Sequence, residues 1–161
     1  MQNKQNIILA IDPGFDRVGV AVLSNEKVLF SDCIVTNREE SHEQRLFEIG
    51  QTLRKIIKKW KPTSLAIETL FFNQNVSTAI KVAEARGVII YEAACGGLKV
   101  FEYSPQSIKI AVTGYGKADK TQIKNMVQKL IKIPKTNLKK LDDELDAIAL
   151  GITHLATEKQ F

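Results

Sequence analysis

The sequence predicts an α/β protein with five strands and five helices. Three observations carry that reading: β-forming runs follow one another closely at the N-terminal end, short apolar strands then alternate with segments of helical period, and the remainder is helical. The first run is Asn6 to Asp12, the second Arg17 to Leu23 and the third Lys27 to Thr36. "SNEK" is too short to bring the third strand back parallel to the second, so antiparallel hairpins are expected. Next, Asn37-x-x-Glu40 has the form of a capping box, and Leu46, Ile49, Leu53, Ile56, Ile57 and Trp60 recur at helical spacing until Pro62. "SLAIETL", Ser64 to Leu70, is short and nearly all apolar, as in a strand covered on both faces.

Beyond the polar and aromatic loop "LFFNQN", a helix is expected from about Ser77, packing through Ala79, Ile80, Val82, Ala83 and Ala85 and closed by Gly96-Gly97. "LKVFEYS" reads as the fifth strand. Ser104-Pro105 is an N-cap followed by a first-turn proline, and "TGYGK" breaks the short helix that they start. From Asp119 onward, Ile123, Met126, Val127, Leu130 and Ile131 share one face and lysines the other. The last helix begins near Leu141, with Leu141, Leu145, Ile148, Ile152 and Leu155 as its core stripe.

The 161 residues suit one domain, 1–161, with a core of ordinary size. Hydrophobic residues make up 44% and charged residues 25%, which excludes disorder as the organising state. Between Lys99 and Lys140 ten lysines face only Glu102 and Asp119, a local balance of +8 within a chain of net charge +5. A phosphate-rich partner is expected for such a stretch, although a solvated lysine-rich surface has the same composition. Cys33 and Cys95 lack metal-type spacing and read as small buried residues. "MQNKQN" has no basic leader followed by an apolar stretch, and no run reaches membrane-spanning length, so a cytoplasmic protein is expected.

Two acids stand where acids are costly: Asp12 ends the first β run, and Glu68 lies at the end of Leu65-Ala66-Ile67. "LDDELDA" adds four acids within five residues, of which Asp143 and Asp146, at i and i+3, share a helix face. Taken singly, each has an ordinary explanation. Asp12 before Pro13-Gly14 suits a turn, and acids at a helix start favour the dipole. Taken together, they would converge if the last helix points its N-terminal end at the strand ends. Such a cluster needs cations, and two Mg²⁺ roughly 3.5–4 Å apart would neutralise it and make a phosphodiester-cleaving site.

The blocks "IDPGFDRVGVAVL", "LAIETLFFNQN", "AEARGVI", "VFEYSPQSIK", "GYGKADKTQI" and "DELDAIALGITH", in this order, resemble RuvC-type Holliday junction resolvases. The resemblance implies an RNase H-like fold, with a central mixed five-stranded sheet flanked by helices. It also implies a homodimer that cuts four-way DNA junctions by paired symmetric nicks in recombination and repair, with Mg²⁺ or Mn²⁺. Carried over by position, the acidic ligands fall on Asp12, Glu68, Asp143 and Asp146. A junction-inserting aromatic falls on Phe71, and basic DNA-contacting positions fall on Lys109 and Lys120. A branch-migration motor is implied as a partner. Phe15-Asp16 depart from the small or basic residues that follow "DPG" in this pattern.

Two other classes share parts of the sequence. An aspartate-glycine hairpin also opens the sugar kinase and actin nucleotide fold, which uses two lobes with one such hairpin each; these residues carry one hairpin. A silent DNA-binding protein of RNase H-like shape would not need all four acids.

Overall fold

The computed structural model describes residues 6–25, 27–70, 76–134 and 142–158. Phe71 and Leu141 lie outside the described residues. Five strands form one sheet: β1 (Ile8–Asp12), β2 (Arg17–Leu23), β3 (Val28–Val35), β4 (Ser64–Glu68) and β5 (Lys99–Tyr103), in the order β3-β2-β1-β4-β5. The hairpins make β1/β2 and β2/β3 antiparallel, whereas β1/β4 and β4/β5 are parallel. The sheet is therefore mixed, and β1 and β4, which carry Asp12 and Glu68, are neighbours at its centre.

Helices α1 (His42–Trp60) and α2 (Val76–Cys95) cover one face. There Leu9, Ile11, Leu65 and Ile67 of the central strands meet Ile49, Leu53, Ala85 and Ile89. Helices α3 (Pro105–Thr113), α4 (Lys120–Leu130) and α5 (Asp142–Glu158) cover the other, against Ile8, Ala10, Ala21, Leu23 and Ala66. Strand alternation assigns the roles: if Leu9 and Ile11 face α1 and α2, Ala10 and Asp12 face α5. The same parity puts Ala66 and Glu68 on the α5 side.

Local signals explain most helix ends. Ser104 caps α3 with Pro105 in its first turn, Gly114 closes it at φ 75°, and Asp119 with Gln122 forms a reciprocal capping box on α4. Gly97, at φ 75°, ends α2, with Leu98 N–H bonded to the Ala93 carbonyl. The start of α1 differs from expectation. Asn37 folds its side chain onto the Glu39 N–H, and Ser41 caps the helix instead, accepting from the Gln44 N–H. Leu130 is exposed, because α4 packs through Ile123, Met126 and Val127 while Ile131 turns inward as extended chain. Cys95 is also exposed, at the open end of α2, and Cys33 is half-buried rather than buried.

Phe15 and Asp16 fasten the turn after β1 to α1. Phe15 is buried, its ring 3.9 Å from the Arg45 guanidinium carbon and 4.9 Å from the His42 ring. Asp16 accepts from both Arg45 and Arg38.

Deep between α5 and the sheet lies His154, fully buried. Its Nε2 is 3.0 Å from Ser64 Oγ on β4 and its Nδ1 2.7 Å from the Tyr103 hydroxyl on β5, with the Phe101 ring 4.6 Å away and tilted by 44°. Burial pushes its pKa down, against the opposing pull of Glu158. The neutral ring offers one donor and one acceptor to the Ser64 and Tyr103 hydroxyls, and Glu158 Oε1 lies 3.4 Å from Nε2.

Candidate active site

Three elements deliver four acids to one end of the sheet. Asp12 ends β1, Glu68 ends β4, and Asp143 and Asp146 occupy the first turns of α5. Glu68 is held by its backbone: Arg86 of α2 donates to its carbonyl at 3.2 Å, and the next N–H, of Thr69, bonds to the Tyr103 carbonyl at 2.9 Å. The Thr69 hydroxyl is buried with no hydrogen-bond partner among the described residues.

The close approach of α5 depends on Gly19. In the hairpin register Gly19 faces Asp12, and a Cβ built on it would lie 2.7 Å from the Asp143 carbonyl carbon and nearer still to its oxygen. Only a residue without a side chain lets the start of α5 lie against β2 here. Gly19 was not singled out by sequence, though a glycine inside a strand and opposite an end-of-strand acid is a signal of close backbone approach.

The acids perturb one another. Burial pushes Asp12 up to about 7, and Glu68, Asp146 and Asp143 push the same way, while Lys120 pulls back. Glu68 is raised by burial and by Asp146, and Asp146 by burial and by Asp143 and Asp142; Lys120 opposes both shifts. Four mutually repelling carboxylates, all oxygen donors, fit hard divalent cations. Among the described residues, however, no three Asp, Glu, His or Cys side chains stand together as a group that would hold an ion.

Lysines border the acids. A cavity of about 260 Å³ is lined by Glu68 and Asp146 with Lys109 of α3 and Lys120 of α4, and Lys120 Nζ lies 3.8 Å from Asp146. Both predicted basic positions thus reach the same cavity as two of the four acids. Asp142 is exposed and lines a neighbouring cavity of about 180 Å³ with Lys124 and Asp146. Two contacts of Asp143 were not foreseen: Arg17 of β2 donates to Oδ2 at 2.6 Å, and the Cys33 thiol lies 3.6 Å from the same oxygen. The predicted aromatic, Phe71, falls outside the described residues.

The family model for crossover junction endodeoxyribonuclease RuvC matches residues 8–154. The chain belongs to the RuvC family. RuvC of Petrotoga mobilis is 41% identical over 152 residues, covering 92% of each chain, and RuvC of Alkaliphilus oremlandii is 43% identical over 155 residues, covering 94% of this chain and 93% of its own. Among solved structures, T. thermophilus RuvC in complex with Holliday junction substrate superposes with a TM-score of 0.88 at 24% identity, covering 96% of each chain. That likeness establishes the RNase H-like fold expected from the motifs. As a RuvC-family member the chain is a metal-dependent crossover junction endodeoxyribonuclease, a hydrolase of four-way DNA.

Proposed function

We propose that Asp12, Glu68, Asp143 and Asp146 are the catalytic carboxylates and hold two Mg²⁺, with Mn²⁺ able to substitute, for paired symmetric nicking of four-way junctions. The observation that supports this most directly is Asp12, a half-buried acid pushed up first by burial and then by three other carboxylates that arrive from β4 and α5. Such ions supply Lewis-acid activation of water and charge neutralisation at the scissile phosphate. The chain's own residues bind and orient: Gly19 lets α5 approach Asp12, Arg86 fixes the end of β4, and Lys120 tempers the repulsion between Glu68 and Asp146. Lys109 and Lys120 supply backbone-phosphate contacts that weaken with salt. Phe71 stacks on bases at the crossover, so Phe71→Ala slows cleavage with little loss of binding; a stacked base is worth about 1–3 kcal/mol.

The partner is junction DNA, and the working form is a two-fold homodimer, because two strands of like polarity must be cut and residues 1–161 act as one nuclease domain whose described residues bring together one acid cluster. The outer face of α2 supports this, with Val76, Ile80 and Tyr91 all exposed alongside Phe47 of α1. A branch-migration motor is a further partner, and the cytoplasm the compartment; no described helix is long and apolar enough to cross a membrane.

One assay tests the reading. The protein is incubated with a synthetic four-way junction, a linear duplex and an RNA·DNA hybrid, with Mg²⁺ and with EDTA. Mg²⁺-dependent paired nicks in the junction alone are expected. Preferential cleavage of the hybrid would reassign the substrate.

A further inference from the structure

Asp143 is not free to join its acidic neighbours. Arg17, the first residue of β2, donates from Nε to Asp143 Oδ2 at 2.6 Å, and the Cys33 thiol approaches the same oxygen from β3. On the far flank, Lys120 of α4 stands 3.8 Å from Asp146. Asp143 and Asp146 are therefore each engaged by a cation of the chain, from different elements. This accounts for an acid cluster that feels its own repulsion yet presents no closed group of three ligands. The Arg17 and Asp143 side chains are 43% and 30% exposed, so each can change partner without opening the core.

We propose that Arg17 is a positioning residue that competes with the divalent cation for Asp143, so that the affinity of the site for metal is set in part by release of this ion pair. The inference rests on the metal-site reading above and deepens it. A guanidinium bound to one carboxylate oxygen neutralises the charge that would attract the ion and fixes the rotamer that would present it. Full ligation then requires Asp143 to exchange Arg17 for the cation. A purely structural role, tying β2 to α5, would leave metal affinity unmoved when Arg17 is replaced.

The test uses the DNA-free protein, with Mn²⁺ as probe and free Mn²⁺ followed by electron paramagnetic resonance. Arg17→Gln, and Arg17→Met to retain the aliphatic stem, bind Mn²⁺ about fivefold tighter than wild type, the upper range for a solvent-exposed ion pair. Arg17→Lys stays near wild type, because the charge remains. Asp143→Asn binds more weakly, and adding Arg17→Gln to it brings no tightening, since the pair acts as a unit. Unchanged or weaker binding by both neutral variants overturns the proposal. So does equal tightening in the Asp143→Asn background, which would mark a diffuse charge effect. Wild type that binds no Mn²⁺, or Asp143→Asn that binds like wild type, would instead sink the metal-site reading and this inference with it.

Discussion

Replacing Gly19 by alanine adds one methyl group where β2 meets the start of α5. The new Cβ would sit 2.7 Å from the Asp143 carbonyl carbon and 3.3 Å from Asp143 Cβ. Non-bonded carbons rest about 3.5–4.0 Å apart, so the first turn of α5 must retreat by about 1 Å. Gly19 does not have positive φ, so the perturbation is steric and not a matter of backbone conformation. Overpacking of this kind costs about 1–3 kcal/mol of stability. The larger effect falls on chemistry: the retreat carries Asp143 and Asp146 away from Asp12 and Glu68, and a misplacement of about 1 Å at a reacting centre costs on the order of 10²-fold in rate. Single-turnover nicking of a labelled junction, with thermal unfolding in parallel, separates the two. A folded Gly19→Ala that cleaves at the wild-type rate would refute the argument that this glycine sets the spacing of the acids.

Asp143→Asn and Asp146→Asn should each reduce nicking by orders of magnitude across a range of Mg²⁺ concentrations, and Asp142→Asn only slightly; the reverse ranking of Asp142 and Asp143 would shift the ligand assignment by one residue. Without metal, Asp12 binds its proton more tightly folded than unfolded, so its contribution falls as pH rises from about 4 to about 7. Asp12→Asn removes this loss and should stabilise the metal-free protein above pH 7, by up to about 4 kcal/mol, with the gain vanishing near pH 4; denaturant unfolding at both pH values checks it. Phe15→Ala should cost about 3–5 kcal/mol in denaturant unfolding, because the ring is buried against Arg45 and His42; a loss within 0.5 kcal/mol of zero, typical of surface positions, would place Phe15 outside the core.

The strands were legible because β-forming runs and short turns leave few pairings, and Asp12 and Glu68 were legible because each is an acid in an apolar run. Their meeting followed from the neighbouring places of β1 and β4. Contacts that depend on packing between distant segments were not legible. Arg17 and Asp143 are 126 positions apart, and nothing in either local sequence pairs them. The departure at Phe15-Asp16 carried no local signal either, since its partners Arg38, His42 and Arg45 belong to the following loop and helix. Asn37 misled because the same side chain that can cap a helix can also bond its own turn, and the nearer N–H was taken.

Helix α5 carries its acids at one end and His154 further along, and that arrangement makes the helix a gauge. An α-helix rises about 1.5 Å per residue, so Asp146 stands about 12 Å from His154 along the axis. His154 answers to β4 through Ser64 and to β5 through Tyr103, so a slide of one residue would strip buried polar atoms of their partners on two strands at once. The acids are thus indexed from a detent beneath β4 and the edge strand β5, and not by anything at the water-facing rim. One residue inserted or removed between 147 and 153 would keep every ligand in the sequence, yet turn Asp146 by about 100° relative to Asp12.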